Sequence, residues 1–270
     1  MESVMRHSLA VFLIISLAAC SSAPEKFEED KSISADELYI DAQHEMRDQN
    51  YEKAIKKWEK LLSRFPYGRY AQQAQIETAY AYYKQSEPAP ALAAVDRFLK
   101  QYPNNPHNDY VYYLKGVINF NPTLGFLDSL FPNEPSERDQ ASMRESFDAF
   151  KELVTRFPDS KYAPDARVRM QYLINTLAES EIHVATYYMR RGAQLAAVNR
   201  AKTVLTDFPQ SPQTRNALKI MVLAYDEMGQ TALRDDAQRV LDASIAKDGI
   251  QPSITTIPRS DGAWWKFWRR

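Results

Sequence analysis

Small and bulky apolar side chains recur along this chain at helical intervals, and the blocks they form are themselves repeated. Four aromatic–proline pairs punctuate the pattern: Phe65-Pro66, Tyr102-Pro103, Phe157-Pro158 and Phe208-Pro209. Twelve residues before each proline stands a small residue, Ala54, Ala91, Ser146 or Ala197. Four residues after each of these come Trp58, Val95, Phe150 and Ala201. Another twelve residues upstream lie Ala42, Ala79 and Ala185, and two of these continue to a tyrosine three positions on, Tyr82 and Tyr188. Positions four apart share a helix face. Each block therefore predicts two antiparallel helices that approach through small side chains, with a bulky group filling the space one turn away. Proline then ends the second helix, because it lacks the N–H that another turn requires.

One such hairpin cannot bury its apolar face alone, so the units are expected to stack into a superhelix. The offsets are those of the tetratricopeptide pattern, and the expected fold is an all-α superhelix of about five helix-turn-helix units over residues 35–247. The alternative, a helical bundle with accidental spacing, needs several independent coincidences at fixed offsets. In the third unit Gly116 and Asn119 take the small and tyrosine positions, but Gly116 lies 30 residues before Ser146, which implies an insertion of 18 residues. This falls near 121–138, where Pro122, Pro132 and Pro135 predict a loop whose Leu124, Phe126, Leu127, Leu130 and Phe131 need cover from the repeats or from a partner. A weaker fifth copy has Ala224, Glu227, Gly229 and a second helix from about 231 to 246. The run from Ala163 to Thr176, with Arg167, Arg169, Tyr172 and Leu173, extends the first helix of the fourth unit backwards.

Composition agrees with helices: Gly is scarce at seven residues, helix formers are plentiful, and no alternating β-branched run suggests a strand. A formal net charge of -1 leaves no overall field to attract nucleic acid.

The two ends differ from the middle. Arg6 precedes the apolar stretch Leu9 to Leu17, which is shorter than the roughly 20 residues that a membrane-spanning helix needs. It ends in Leu17-Ala18-Ala19-Cys20, which looks like a lipobox, with 1–19 as the signal peptide and Cys20 as the site of a covalent lipid such as palmitate. Cys20 is the sole cysteine, so no intramolecular disulfide is possible. The alternative is a chance cysteine ending an ordinary signal peptide. Ser21, where aspartate would mark inner-membrane retention, implies by resemblance to bacterial lipoproteins an outer-membrane anchor facing the periplasm. Residues 20–34 read as a flexible polar tether. The tail, 248–270, finishes Trp264-Trp265-Lys266-Phe267-Trp268-Arg269-Arg270. It is expected to be disordered and suits either a lipid headgroup layer or a partner's groove, unless its apolar residues pack back on the last helices.

With the small residues fixing the packed face, helical spacing assigns a concave lining to the first helices. It comprises Tyr39, Gln43, Met46 and Arg47, then Gln73, Ile76, Tyr80, Tyr83 and Lys84, then Tyr110, Tyr113, Val117 and Phe120. Aromatics offer large contact area at low entropic cost, and cations at Arg47 and Lys84 suit carboxylates. An extended peptide with aromatic side chains and a free C-terminus would fit; the alternative is that individual tyrosines belong to the core between repeats. In the C-terminal half Arg190 and Arg191 close a helix, where they either bind a partner or complement the helix dipole. Asn199 and Arg200 follow on the next helix.

Catalytic and metal motifs are not evident, and no cofactor is expected. His44-Glu45 begins a zincin-like string, but Asp48 occupies the second ligand position. Glu179 and His183 share a helical face, which suits either two metal ligands or, far more commonly, a salt-linked surface pair; His7 and His107 stand apart. The expectation is a protein-binding scaffold without enzymatic activity.

Together the lipobox, the repeats and the interrupted third unit resemble the BamD (ComL) family of outer-membrane-protein assembly lipoproteins. More specific are Arg156-Phe157-Pro158-Asp159-Ser160-Lys161-Tyr162-Ala163 with Asp165-Ala166-Arg167, the run Tyr187-Tyr188 with Arg191-Gly192-Ala193, Val198-Asn199-Arg200, and Tyr51 with Ala54-Ile55. The likeness covers roughly 12 to 245, and the tryptophan-rich tail has no match in it. What the resemblance implies is a part of the β-barrel assembly machinery. Its C-terminal repeats, with Arg191, Asn199 and Arg200, would contact the POTRA domains of BamA. Smaller accessory lipoproteins would also bind, and the N-terminal repeats would receive the C-terminal targeting segment of unfolded outer-membrane barrels. The alternative from another class is a periplasmic repeat lipoprotein organising peptidoglycan or division machinery.

Overall fold

The computed structural model describes residues 33–120 and 140–247, and there it forms ten helices in five consecutive hairpins. These are α1 (Ala35–Arg47) with α2 (Tyr51–Arg64), α3 (Ala71–Lys84) with α4 (Pro88–Gln101), and α5 (Asn108–Phe120) with α6 (Gln140–Arg156). Then follow α7 (Ala163–Arg190) with α8 (Gln194–Asp207) and α9 (Thr214–Glu227) with α10 (Thr231–Lys247). Cys20, the insertion at 121–138 and the tail from 248 lie outside the described residues.

The aromatic–proline pairs set the boundaries between units. The residue before a proline is driven out of the α region, and Phe65, Tyr102 and Phe208 all leave it with ψ of 58°, 62° and 47°. Their N–H groups still donate one turn back, Phe65 to Leu61 O at 2.8 Å and Tyr102 to Phe98 O at 2.8 Å. Each aromatic carbonyl then accepts from the residue three positions on: Gly68, Asn105, Ser160 and Ser211 at 3.1, 3.1, 3.0 and 2.9 Å. The same inter-unit turn is thus built four times. Inside the hairpins a second turn recurs, with a left-handed residue after the first helix: Gln49 (φ 63°), Ser86 (φ 61°), Gly192 (φ 70°) and Gly229 (φ 68°). A 6→1 hydrogen bond closes each one, such as Glu87 N to Tyr82 O at 3.0 Å, which satisfies a carbonyl the helix end leaves free. In two of the four the left-handed position is not glycine.

Every small residue of the repeat pattern is buried, and Trp58, Phe98 and Phe150 are fully enclosed beside them. The third unit shows why small size matters. A Cβ on Gly116 would collide with the ring of Phe150, while Ser146 donates its hydroxyl to Gly116 O at 2.8 Å. Consecutive hairpins pack side by side throughout. The first helices also touch across units, α3 with α5 and α7 with α9, which places their row on the inner side of the curve. The core falls into three clusters: one in the first unit reaching Ala74, one in the second unit and α5, and one in units three to five. Tyr113 and Tyr162 pack against both of the latter two.

Candidate functional site

The inner face of the first two and a half units is built of tyrosines. Tyr39 on α1 stacks on Tyr70 (ring centroids 4.2 Å apart) and meets the edge of Trp58 at 5.4 Å. Its hydroxyl accepts from Gln43 Nε2 at 2.8 Å, and burial, aided by the charge of Glu77, pushes its pKa up to about 12. Tyr80 stands edge-on to Tyr51 at 6.4 Å and tilts against Tyr83 at 6.1 Å. On α5, Tyr113 stacks on Tyr162 at 4.9 Å and donates to Asp165 Oδ2 at 2.7 Å, and burial together with that carboxylate raises its pKa. Asp165 also accepts from Arg169 Nε at 2.6 Å, and the Arg169 guanidinium lies 4.9 Å over the ring of Phe120. Phe120 tilts on Tyr172 of α7 at 5.7 Å.

The residues assigned to the groove by spacing therefore separate into groups. Tyr39, Tyr80, Tyr83, Tyr113 and Phe120 are partly exposed. Tyr110 is not a wall residue: at 5% exposure it is packed into the core with α3 and Tyr162, and Ile76 is buried likewise. Helical spacing within one unit gives the direction of a side chain but not how closely the next unit covers it. The two cations stand outside the row of rings. Arg47 is exposed, and Lys84 is exposed with its Nζ 5.9 Å over Tyr51.

Spacing missed the charge that the structure does bury there. Glu77 on α3 is 7% exposed and accepts a long hydrogen bond, 3.5 Å, from Gln73. Desolvation raises its pKa to about 7, opposed only by that bond. The signal was available: Glu77 stands two residues before Ala79, in a stretch whose neighbours Ile76, Thr78 and Ala79 are all buried.

The second candidate face lies on α6, α7 and α8. Arg200 Nη1 pairs with Glu181 Oε2 at 3.1 Å, and Arg144 Nη2 approaches Glu181 Oε1 at 3.9 Å. The Glu181 side chain is 3% exposed, whereas those of Arg200 and Arg144 are 45% and 46% exposed. The buried carboxylate thus holds two half-exposed guanidiniums in place. Arg144 also lies 5.8 Å over the ring of Phe208. Glu181 precedes the packed Ala185 by one turn, so a charge at this position calls for a partner. Asn199 is exposed beside Arg200. Arg191, the C-cap of α7, is exposed over the Tyr187 ring at 5.3 Å, where its charge complements the helix end. Ten residues separate it from Glu181, roughly 15 Å of helix, so Arg191 stands apart from the pairs that Glu181 makes.

Among the described residues no three His, Cys, Asp or Glu side chains gather to hold a metal. His44 pairs with Asp48 at 3.0 Å on the surface, and Glu179 and His183 are exposed.

Residues 31–240 match the family model YfiO, described as an outer membrane lipoprotein. A protein of Neisseria meningitidis serogroup B, named outer membrane protein assembly factor BamD, is 42% identical over 265 residues, 96% of this chain and 98% of its own length. Proteins of the same name from Xylella fastidiosa (strain Temecula1) and Vibrio cholerae are each 35% identical, over 87% and 83% of this chain and 80% and 92% of theirs. Among solved structures the MamA protein aligns with 81% of the chain at 14% identity and a TM-score of 0.34. By the extent of the family match and the identity to these relatives, the chain belongs to the YfiO family of outer membrane lipoproteins that includes the BamD assembly factors.

Proposed function

We propose that this protein is a non-catalytic scaffold for assembling β-barrel proteins into the outer membrane, holding polypeptides along its two faces and making or breaking no bond. Its relatives are named as assembly factors for outer membrane proteins, and its fold supplies two surfaces of different chemistry. A lipid on Cys20 would tether it to the outer membrane on the periplasmic side. In this reading the C-terminal targeting segment of an unfolded barrel lies along Tyr39, Tyr80, Tyr83, Tyr113 and Phe120, with Arg47 and Lys84 at its border. The POTRA domains of BamA dock on Arg191, Asn199 and Arg200, and accessory lipoproteins of the machinery join the same assembly.

The observation that carries the proposal is the row of partly exposed tyrosines on the inner face, continued towards a second end where a buried glutamate presents two arginines. Aromatic rings with few rotatable bonds bind apolar peptide side chains at low entropic cost. Arginines held in place suit carboxylates of a folded partner. Depletion in the native host tests it. The expected result is loss of barrel proteins from the outer membrane, restored by the native chain and not by a chain carrying both Tyr80→Ala and Arg200→Ala. Normal barrel levels in misshapen cells would instead indicate a peptidoglycan or division role.

A further inference from the structure

The start of α1 and the turns between units lie along one edge of the superhelix, because each hairpin runs out and back. Side chains link them in order. Asp36 of α1 pairs with Arg69 and accepts from the Tyr70 hydroxyl at the first turn. Gln72 accepts from Asn105 of the second turn at 2.8 Å, and Asp109, at the start of α5, accepts from Ser160 of the third at 2.7 Å. The rings along this edge carry cations. Arg69 lies 4.5 Å from the Tyr70 centroid, Lys161 5.0 Å from that of Tyr162, and Arg156 5.3 Å and 5.8 Å from those of Tyr112 and Phe157. Arg156 also donates to the Tyr112 hydroxyl at 2.5 Å. Around the third turn Arg156, Lys161 and Arg167 are all exposed. Of the acids between 156 and 167, Asp159 is exposed and Asp165 is held by Arg169 at 2.6 Å. At the tip of the first turn the Tyr67 ring stands in solvent, 91% exposed.

We propose that this edge rests on the phosphate headgroups of the bilayer that anchors the chain, with Tyr67, Arg156, Lys161 and Arg167 at the lipid surface. The inference rests on the lipid at Cys20 put forward above. Ser34 follows Cys20 by 14 residues, so the tether reaches at most about 50 Å when fully extended. It enters at this edge, beside the first turn, and the hairpin turns stand one helix length further off, about 20 Å. Guanidinium and ammonium groups pair with phosphate, and a tyrosine ring suits the headgroup layer. A cation beside an anionic surface gains roughly fivefold in partitioning. Three cations less one acid therefore make a contact too weak to hold a free protein, yet sufficient to orient one already tethered. The fourth turn breaks the run, since residues 207–214 bring Asp207 and no cation. The contact is thus confined to the first three units. Their helices then stand upright on the membrane, and the inner row of tyrosines opens sideways, clear of the lipid.

The test uses the lipidated full chain in vesicles of phosphatidylethanolamine and phosphatidylglycerol that carry a quencher on their headgroups. With the sole cysteine blocked by lipid, Asn104→Cys and Ala89→Cys each supply one thiol for a dye, near opposite ends of α4. The dye at 104 should be quenched several-fold more strongly than the dye at 89. Arg156→Gln, Lys161→Gln and Arg167→Gln together should cut that difference several-fold, as should salt that screens surface charge. Lys53→Gln with Arg190→Gln, both exposed on the opposite edge, should leave it intact. Circular dichroism confirms that each variant is helical. Equal quenching at the two positions, or a difference undiminished by the triple substitution, overturns the edge contact and leaves the anchor standing. Dye taken up by the unsubstituted chain would show Cys20 free of lipid and overturn both.

Discussion

Glu77 in α3 and Glu181 in α7 are both enclosed, at 7% and 2% exposure, yet they live in opposite company. Glu77 has a long hydrogen bond from Gln73 and a pKa driven up to about 7 by desolvation. Glu181 has Arg200 and Arg144, both half-exposed, whose free edges face solvent. The N-terminal half therefore keeps an acid that lacks a counter-charge, while the C-terminal half has matched its acid and displays the surplus positive charge. The same residue type, enclosed in both halves, is paired with arginine in one and bonded to an amide in the other. The function proposed above, an extended client at one end and a folded partner at the other, would draw on this difference.

Neutralising the two glutamates breaks the comparison most directly. Ionised Glu77 weighs against the fold. Its folded pKa, about 7, lies above the ordinary 4.5, so the stability linked to its protonated form is complete below pH 4.5 and lost as pH rises through 7. At about 1.4 kcal/mol per unit the loss is on the order of 3 kcal/mol. Glu77→Gln should therefore raise stability at pH 8 by up to about that amount and flatten the change between pH 5 and pH 8. Glu181→Gln should move the other way at pH 8, losing about 1–2 kcal/mol, since it weakens a charged hydrogen bond to a half-exposed partner. Denaturant unfolding at both pH values measures the pair, and changes of the same sign would contradict the contrast. The smallest effect concerns the hairpin turns. Ser86, left-handed at φ 61° where the C-terminal turns use Gly192 and Gly229, should gain about 0.5–1 kcal/mol on replacement by glycine. An unchanged or lowered midpoint would show that the Ser86 turn carries no such strain.

Most of the architecture was legible because it depends on contacts within one hairpin. Ala54, Ala91 and Ala197 had to be small wherever they stood in the superhelix, and the prolines had to end helices by their own chemistry. Gly116 and Ser146 fitted the same logic, with Phe150 filling the space that the missing Cβ leaves. The site was less legible because it depends on contacts between hairpins. Tyr110 and Tyr113 are three residues apart on one helix, yet one is buried and the other half-open, according to how α3 and α7 cover them. Gln49 and Ser86 hid their left-handed turns, since neither residue type announces one. Glu77 and Glu181 look alike in the sequence; only the neighbouring helices decide which of them meets arginine.

The proposed division of labour between the two faces is most directly tested by site-specific photo-crosslinking. A photo-reactive residue is placed at Tyr83 or at Asn199 in the full chain, which is then offered a barrel C-terminal peptide and BamA POTRA domains together. The peptide should crosslink from position 83 and the POTRA domains from position 199, each with little product from the other site. Both ligands crosslinking from the same position, or the assignments reversed, would contradict the account.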